Sequence, residues 1–151
     1  MEATRRAEPD DVAAVRRCVE DAYAMYMPRL GFPPAPMGVD YEVLQGRGEL
    51  FVISDPPVGT ITLTMKGPDL WINNLAVRPE RQGQGLGRAL IAFAEAEASA
   101  RKATSLRLYT NELMTENVAF YLAFGFREIG RRVEGPYRRV VMERDAPPRR
   151  I

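Results

Sequence analysis

Polar and apolar positions alternate most plainly between Thr60 and Met65. Ile61, Leu63 and Met65 fall on one side there, and Thr60, Thr62 and Thr64 on the other. A period of two is that of a strand. Leu50 to Ser54 reads as the strand before it, with Asp55-Pro56-Pro57 as the turn between. Lys66-Gly67-Pro68-Asp69 then turns the chain into an apolar run, Leu70 to Val77, short enough for a third strand. Three strands with tight turns predict an antiparallel meander. Beyond Val77 the period changes. Arg78-Pro79-Glu80 breaks the strand, because proline supplies no ladder N–H, and Gly83, Gly85 and Gly87 follow. Leu86, Leu90 and Phe93 then recur at helical spacing, with Ala89, Ala96 and Ala100 filling the same broad face.

The flanks are read the same way. Ala3 to Ala7 suits a short first strand, and Pro9-Asp10-Asp11 a helix start, with proline and acids in the first turn. Val12, Val15, Val19 and Ala22 mark that helix's buried face, which reaches Met25 or Tyr26, and Cys18 beside it reads as a small core residue. Four prolines and a glycine exclude regular structure from Pro28 to Met37. Asp40 to Gln45 suits a short helix. Tyr23, Tyr26, Phe32, Met37 and Tyr41 cluster around this irregular stretch, as a satellite core or as the wall of a substrate pocket. After the central helix, Ser105 to Tyr109 is a strand, parallel to Leu70–Val77 because a helix joins them. Thr115 to Phe124 suits a helix ended by Gly125, and Phe126–Val133 with Tyr137–Arg144 a last hairpin. No repeat or linker divides the chain, so residues 1–145 are expected to form one domain and 146–151 a frayed tail.

Composition narrows the chemistry. Lys+Arg 21 against Asp+Glu 20 gives a formal net charge of +1, so nothing marks a nucleic-acid partner. One cysteine excludes an internal disulfide framework and argues for a reducing, cytoplasmic compartment. No apolar segment is long enough to span a bilayer, so no membrane partner is expected. The chain has no histidine, which removes every His-based nucleophile and the commonest metal ligand, and no metal is expected.

The glycine-rich turn carries more. Glycines at the mouth of a helix let a ligand approach the backbone, and the first helical N–H groups have no intrahelical partners. With the positive end of the helix dipole, such a turn suits a phosphate or pyrophosphate. Two familiar phosphate loops fit poorly. A P-loop needs Lys-Ser/Thr after its last glycine, where Gly87 is followed by Arg88-Ala89. A dinucleotide fingerprint read from Gly83 and Gly85 would need its third glycine at Arg88.

Gln82-Gly83-Gln84-Gly85-Leu86-Gly87 does match the Gln/Arg-x-x-Gly-x-Gly/Ala pyrophosphate loop of the GNAT superfamily, the acyl-CoA-dependent N-acyltransferases. Leu75-Ala76-Val77 before it resembles that superfamily's central strand. Leu108 to Phe126 resembles its next module, with Tyr121 shortly before Gly125-Phe126. The resemblance implies an α/β fold: a mixed, mostly antiparallel sheet, helices on both faces and a parallel strand pair at the centre. It implies acetyl-CoA as acyl donor, bound by Leu75, Ala76, Val77, Gln82, Gly83, Gln84, Gly85, Leu86, Gly87, Arg88 and Asn117. It implies direct attack by an amine acceptor, with Tyr121 protonating the departing thiolate. The family's common asparagine falls where this chain has Met114, which makes Asn111 a second candidate.

One departure concerns the base. Where many members carry a glutamate on the central strand, this chain has Asn73, and an amide cannot take a proton from an ammonium group. Asp40, Glu42 and Glu112 are the carboxylates to consider in its place. An acyl-CoA-binding regulatory module that has lost catalysis is the alternative that Asn73 raises. The acceptor's identity stays open, and a homodimer is one state the resemblance admits.

Overall fold

The computed structural model describes residues 3–146. The expected frayed tail, apart from Ala146, lies outside them. Seven strands form one sheet: β1 (Thr4–Arg6), β2 (Leu50–Ile53), β3 (Gly59–Lys66), β4 (Asp69–Val77), β5 (Ser105–Asn111), β6 (Arg127–Glu134) and β7 (Tyr137–Asp145). Their order is β1-β2-β3-β4-β5-β7-β6. β4 and β5 run parallel, pairing Asp69 with Ser105, Leu70 with Leu106 and Trp71 with Arg107. The β1/β2, β2/β3, β5/β7 and β6/β7 pairs are antiparallel. The helices are α1 (Val12–Tyr23), α2 (Met27–Leu30), α3 (Tyr41–Gly46), α4 (Leu86–Ala100) and α5 (Thr115–Ala123). This is the mixed α/β sheet with a parallel pair that the sequence implied.

Contacts divide the chain into two compact units, one running up to Thr64 together with Ile72–Ala94, the other made of Met65–Trp71 and the chain from Glu95 onward. In the first, β2 is buried at every position. Thr60 and Thr62 of β3 are as inaccessible as Ile61 and Leu63, so alternation here separates two covered faces rather than core from solvent. The Thr60 hydroxyl donates to the Phe51 carbonyl at 2.8 Å. Val12, Val15, Cys18, Val19 and Tyr23 form the inward stripe of α1. Burial raises the Cys18 thiol above its usual pKa, which makes it a poor nucleophile, as a core role requires.

Two expectations are corrected by the structure. Pro28 sits inside α2, because proline costs nothing in a first turn whose N–H groups lack intrahelical acceptors, and Gly31 at φ 81° ends that turn. A 3₁₀ turn at Ala35–Gly38 follows, so the proline-rich stretch is partly regular. The buried stripe of α4 also differs. It runs through Leu86, Leu90, Ile91, Ala94 and Ala98, while Ala96 and Ala100 face outward. Alanine suits either environment, so its spacing could not place the stripe. Phe93 flanks it, its ring 4.9 Å from that of Phe51.

In the second unit the β5/β7 ladder is continuous from Ser105↔Asp145 to Asn111↔Arg139. Gly125, at φ 87°, follows α5 and lets the Phe126 N–H return to the Tyr121 carbonyl at 3.1 Å. The Arg144 guanidinium reaches both Glu95 and the Phe124 carbonyl at 3.1 Å, tying α4 to the end of α5. β6 is the sheet's last strand, exposed at all eight positions, with a register irregularity between Glu128 and Gly130.

The start of α1 is held by one ion pair. Asp11 accepts two hydrogen bonds from Arg5, at 2.7 and 3.0 Å, and one from the Glu8 N–H at 2.8 Å. The Arg5 guanidinium, and next the Glu8 amide, hold the Asp11 carboxyl below the usual range against the opposing effect of burial. A carboxylate lowered in the folded state stabilises above its unfolded pKa of about 3.9, and that contribution is lost as pH falls through the folded value. Asp11→Ala is therefore expected to cost about 1–3 kcal/mol at neutral pH. In urea melts the gap to wild type should narrow below about pH 4; a gap independent of pH would assign the cost to packing.

Candidate active site

The strand-to-helix junction is built as its sequence suggests. β4 ends at Val77, a 3₁₀ turn at Pro79–Arg81 follows, and α4 begins at Leu86. Gln82, Gly83, Gln84 and Gly85 between them are exposed, as is Arg88, while Leu86 is buried as the anchor of the first helical turn. Gly83 and Gly85 have φ of 78° and 84°, which L side chains rarely adopt, and a Cβ at either would meet nothing within 4 Å. The glycines are thus required by conformation, and the space beside them is open. The Leu86 and Gly87 amides stand in the first turn, where an α-helix offers no acceptor. The Gln82 amide is already used, donating to the Pro79 carbonyl at 3.3 Å. Its side chain reaches back to the Val77 carbonyl at 3.0 Å, and Arg81 Nε binds Gln84 Oε1 at 2.7 Å. The loop is braced on the strand it leaves.

Of the two adjacent asparagines on β4, Asn73 is half-buried and donates to Thr64 Oγ1 at 2.7 Å, while Asn74 points into the core. Asn74 is the residue that sequence reasoning passed over. Its Nδ2 donates to the Tyr41 hydroxyl at 2.9 Å, and that hydroxyl donates to the Pro36 carbonyl at 2.7 Å. The Tyr23 hydroxyl lies 3.1 Å from Asn74 Oδ1 and 3.0 Å from the Leu75 carbonyl. α1, α3 and the proline-rich turn therefore converge on β4 through one buried chain. Burial pushes the Tyr41 phenol well above its usual pKa, so it stays a neutral donor. Leu75, Ala76 and Val77 belong to the same unit as the glycine loop. Alternation along β4 was the available signal: with Asn73 outward, Asn74 had to face inward.

Asn117 and Tyr121 lie on α5 in the other unit, one turn apart and on one face. Tyr121 is buried, its ring centroid 5.2 Å from that of Phe120 and 5.6 Å from that of Phe126. Met114 occupies the position before the first helical residue and caps nothing with its side chain. Asn111 does the turning instead: its Oδ1 accepts from the Leu113 N–H at 2.9 Å and its carbonyl from the Met114 N–H at 3.0 Å.

Each of the three candidate carboxylates has a structural partner. Asp40 caps α3 through the Val43 N–H at 3.1 Å, and Glu42 pairs with Arg16. Glu112 lies between Arg131 at 2.8 Å and Arg138 at 3.3 Å. Among the described residues no three His, Cys, Asp or Glu side chains gather as metal ligands would, and no helix is long and apolar enough to cross a membrane.

Residues 46–128 match the family model described as an acetyltransferase (GNAT) domain. No curated protein matches the sequence. The ribosomal-protein-S18-alanine N-acetyltransferase from Escherichia coli has a similar structure: TM-score 0.75 at 22% identity, covering 97% of this chain and 94% of that one. Ard1 from Thermoplasma volcanium gives 0.78 at 18% identity, covering 97% and 99%. The PaiA N-acetyltransferase from Thermoplasma acidophilum, solved with coenzyme A, gives 0.77 at 15%, covering 96% and 99%. Identities this low bear on the fold alone.

Proposed function

Because the chain belongs to the GNAT acetyltransferase family, its matched region taking in β4, the glycine loop and α5, we propose that it moves an acetyl group from acetyl-CoA to a primary amine by direct attack in a ternary complex. The observation that carries this reading is the exposed Gln82–Gly85 loop, with positive-φ glycines at the N-terminus of the fifteen-residue helix α4. Its amides and the helix dipole would hold the pyrophosphate. The β4 backbone at Leu75–Val77 would take the pantetheine arm as an added strand, and Gln82, Arg88 and Asn117 would complete the cofactor contacts. PaiA's complex with coenzyme A supports the choice of cofactor by analogy.

In the reaction the neutral amine nitrogen forms a bond to the thioester carbonyl carbon and the C–S bond breaks. The amine loses one proton, the thiolate gains one, and an N-acetyl amide and free CoA result. Tyr121 is the proposed donor to the thiolate, through its phenol O–H. A backbone N–H near Val77 would polarise the carbonyl. A cytoplasmic location fits the lone buried thiol of Cys18. The second reading, a binding module without catalysis, draws on Asn73, an amide bonded to Thr64 where a base is wanted. Thiol release from acetyl-CoA with a panel of amines separates the two.

Acetyl-CoA is expected to raise Tm, by about 2.7 kcal/mol of added stability at a hundredfold excess over Kd. Gly85→Val should abolish that shift, since a branched residue at this φ is strained and its side chain fills the approach. Stabilisation by NAD or ATP and not by CoA would overturn the cofactor assignment. Tyr121→Phe should lower kcat roughly a hundred- to ten-thousand-fold with acetyl-CoA affinity little changed; an unchanged kcat in a chemistry-limited assay would leave Tyr121 as a core aromatic. With no carboxylate free of structural duty among the three considered, kcat/KM should climb with pH toward the acceptor's own pKa. A primary alkylamine, at a pKa of roughly 10.4, is neutral in only about one molecule in 2500 at pH 7. A plateau well below that pKa would reveal a side-chain base.

A further inference from the structure

The hydrogen bonds around Asn74 all run one way. The Pro36 carbonyl can only accept, so the Tyr41 proton points to it across 2.7 Å, and burial keeps that phenol protonated. The Tyr41 oxygen therefore accepts from Asn74. That turns Asn74 Nδ2 toward Tyr41 at 2.9 Å and Asn74 Oδ1 toward Tyr23 at 3.1 Å. The Tyr23 hydroxyl thus faces two oxygens that only accept, Asn74 Oδ1 and the Leu75 carbonyl at 3.0 Å. Its proton is given to them, so toward a ligand the phenol oxygen acts as an acceptor.

That oxygen stands beside one particular edge of β4. Successive residues of a strand turn their N–H and C=O groups to opposite edges. The edge toward β3 takes Ala76, whose carbonyl oxygen lies 3.1 Å from where a Cβ on Gly59 would stand. It continues at Arg78, whose N–H donates to the Val58 carbonyl at 2.9 Å. Leu75 and Val77 therefore face the other edge, and side chains take both of their carbonyls: Tyr23 that of Leu75, Gln82 that of Val77 at 3.0 Å. Going back along this edge from the glycine loop, Val77 comes first and Leu75 about 7 Å farther on. Coenzyme A carries its pyrophosphate, pantetheine arm and thioester in a matching order. A cofactor anchored at the loop brings its thioester toward the Leu75 end, where the Tyr23 hydroxyl is.

We propose that Tyr23 holds the acceptor, its phenol oxygen accepting an N–H of the amine that attacks the thioester. This rests on the acetyltransferase reading and on the cofactor's place along β4. With one N–H bound to Tyr23, the nitrogen lone pair is left to turn toward the carbonyl carbon, as attack requires. An uncharged acceptor also suits the neutral amine, which is the reactive form. Tyr23 orients the nitrogen and takes no proton from it, because the chain behind it ends at the Pro36 carbonyl, which is no base. The proton balance stays that of acetyl transfer.

Tyr23→Phe keeps the ring and removes the oxygen. The probe is whichever of propylamine, 2-phenylethylamine and glycinamide releases thiol fastest from acetyl-CoA with wild type. In Tyr23→Phe its KM is expected to rise roughly tenfold, while KM for acetyl-CoA and the acetyl-CoA thermal shift stay as in wild type. Val15→Ala controls for packing. Val15 is fully buried on the same stripe of α1, so this variant should melt lower and keep its amine KM. Wild type gives an independent reading. The alcohol matched to the amine, with OH for NH2, should compete with it by donating to Tyr23. The methyl ether of that alcohol has no donor and should compete roughly tenfold less well. An amine KM unmoved by Tyr23→Phe, an equal rise in Val15→Ala, or an ether as good as the alcohol would each overturn the proposal. So would a weakened acetyl-CoA, which would put the hydroxyl on the pantetheine arm instead. These outcomes arise with a wild type that acetylates amines. If acetyl-CoA neither raises its Tm nor releases thiol with any amine, the acetyltransferase reading itself fails and takes this placement with it.

Discussion

A carboxamide buried inside a strand persists only if its polar atoms find partners, and the first unit is organised around meeting that demand at Asn74. One unmet donor or acceptor there would cost about 1–3 kcal/mol, a sizeable part of a domain's net stability. The demand is met from three directions, by Tyr23 of α1, by Tyr41 of α3 and, through Tyr41, by the Pro36 carbonyl. None of these segments can shift without breaking a hydrogen bond of this chain. The strand they hold is the one that delivers the glycine loop, and Gln82 ties that loop back to its end. Backbone groups that act on a ligand by position alone need this kind of bracing, since a preorganised donor loses nothing to rearrangement when the ligand arrives.

What could be read from the sequence was local. The glycine loop follows from a few consecutive residues, and the structure places positive φ at Gly83 and Gly85. The parallel pairing of β4 with β5 follows from the helix between them. Where the reading failed, the missing information was tertiary. Alternation put Thr60 and Thr62 on the other side of β3 from Ile61 and Leu63 but could not show that this side is covered too. Ala96 and Ala100 looked buried because alanine carries no preference that spacing could use. Pro28 looked like a breaker because its place in the first turn of α2 was not evident. Asn74 was overlooked because its partner Tyr41 lies 33 residues away.

The distribution of carboxylates has a chemical meaning. Asp40, Glu42 and Glu112 each answer a structural need: a helix N-terminus, one arginine, and two arginines. Under the proposed reaction, a chain without histidine that spends these three acids on its own architecture would leave proton removal by them out of reach. Selectivity would then belong partly to the acceptor's basicity, since only amines that shed a proton readily present enough of the reactive form.

The charge on β6 bears on how the protein behaves in a crowd. A terminal strand offers unpaired N–H and C=O groups to any passing strand, and long apolar edges of this kind seed aggregation. β6 ends the sheet with every residue exposed, Ile129 and Val133 among them. Five of its eight residues are charged, and its register slips at Glu128/Gly130. Charge and a local kink are the devices that keep such an edge solitary. Replacing Arg127, Arg131 or Arg132 by apolar residues would strip that protection from the edge, so drift at these exposed positions is bounded by solubility although none of them is buried.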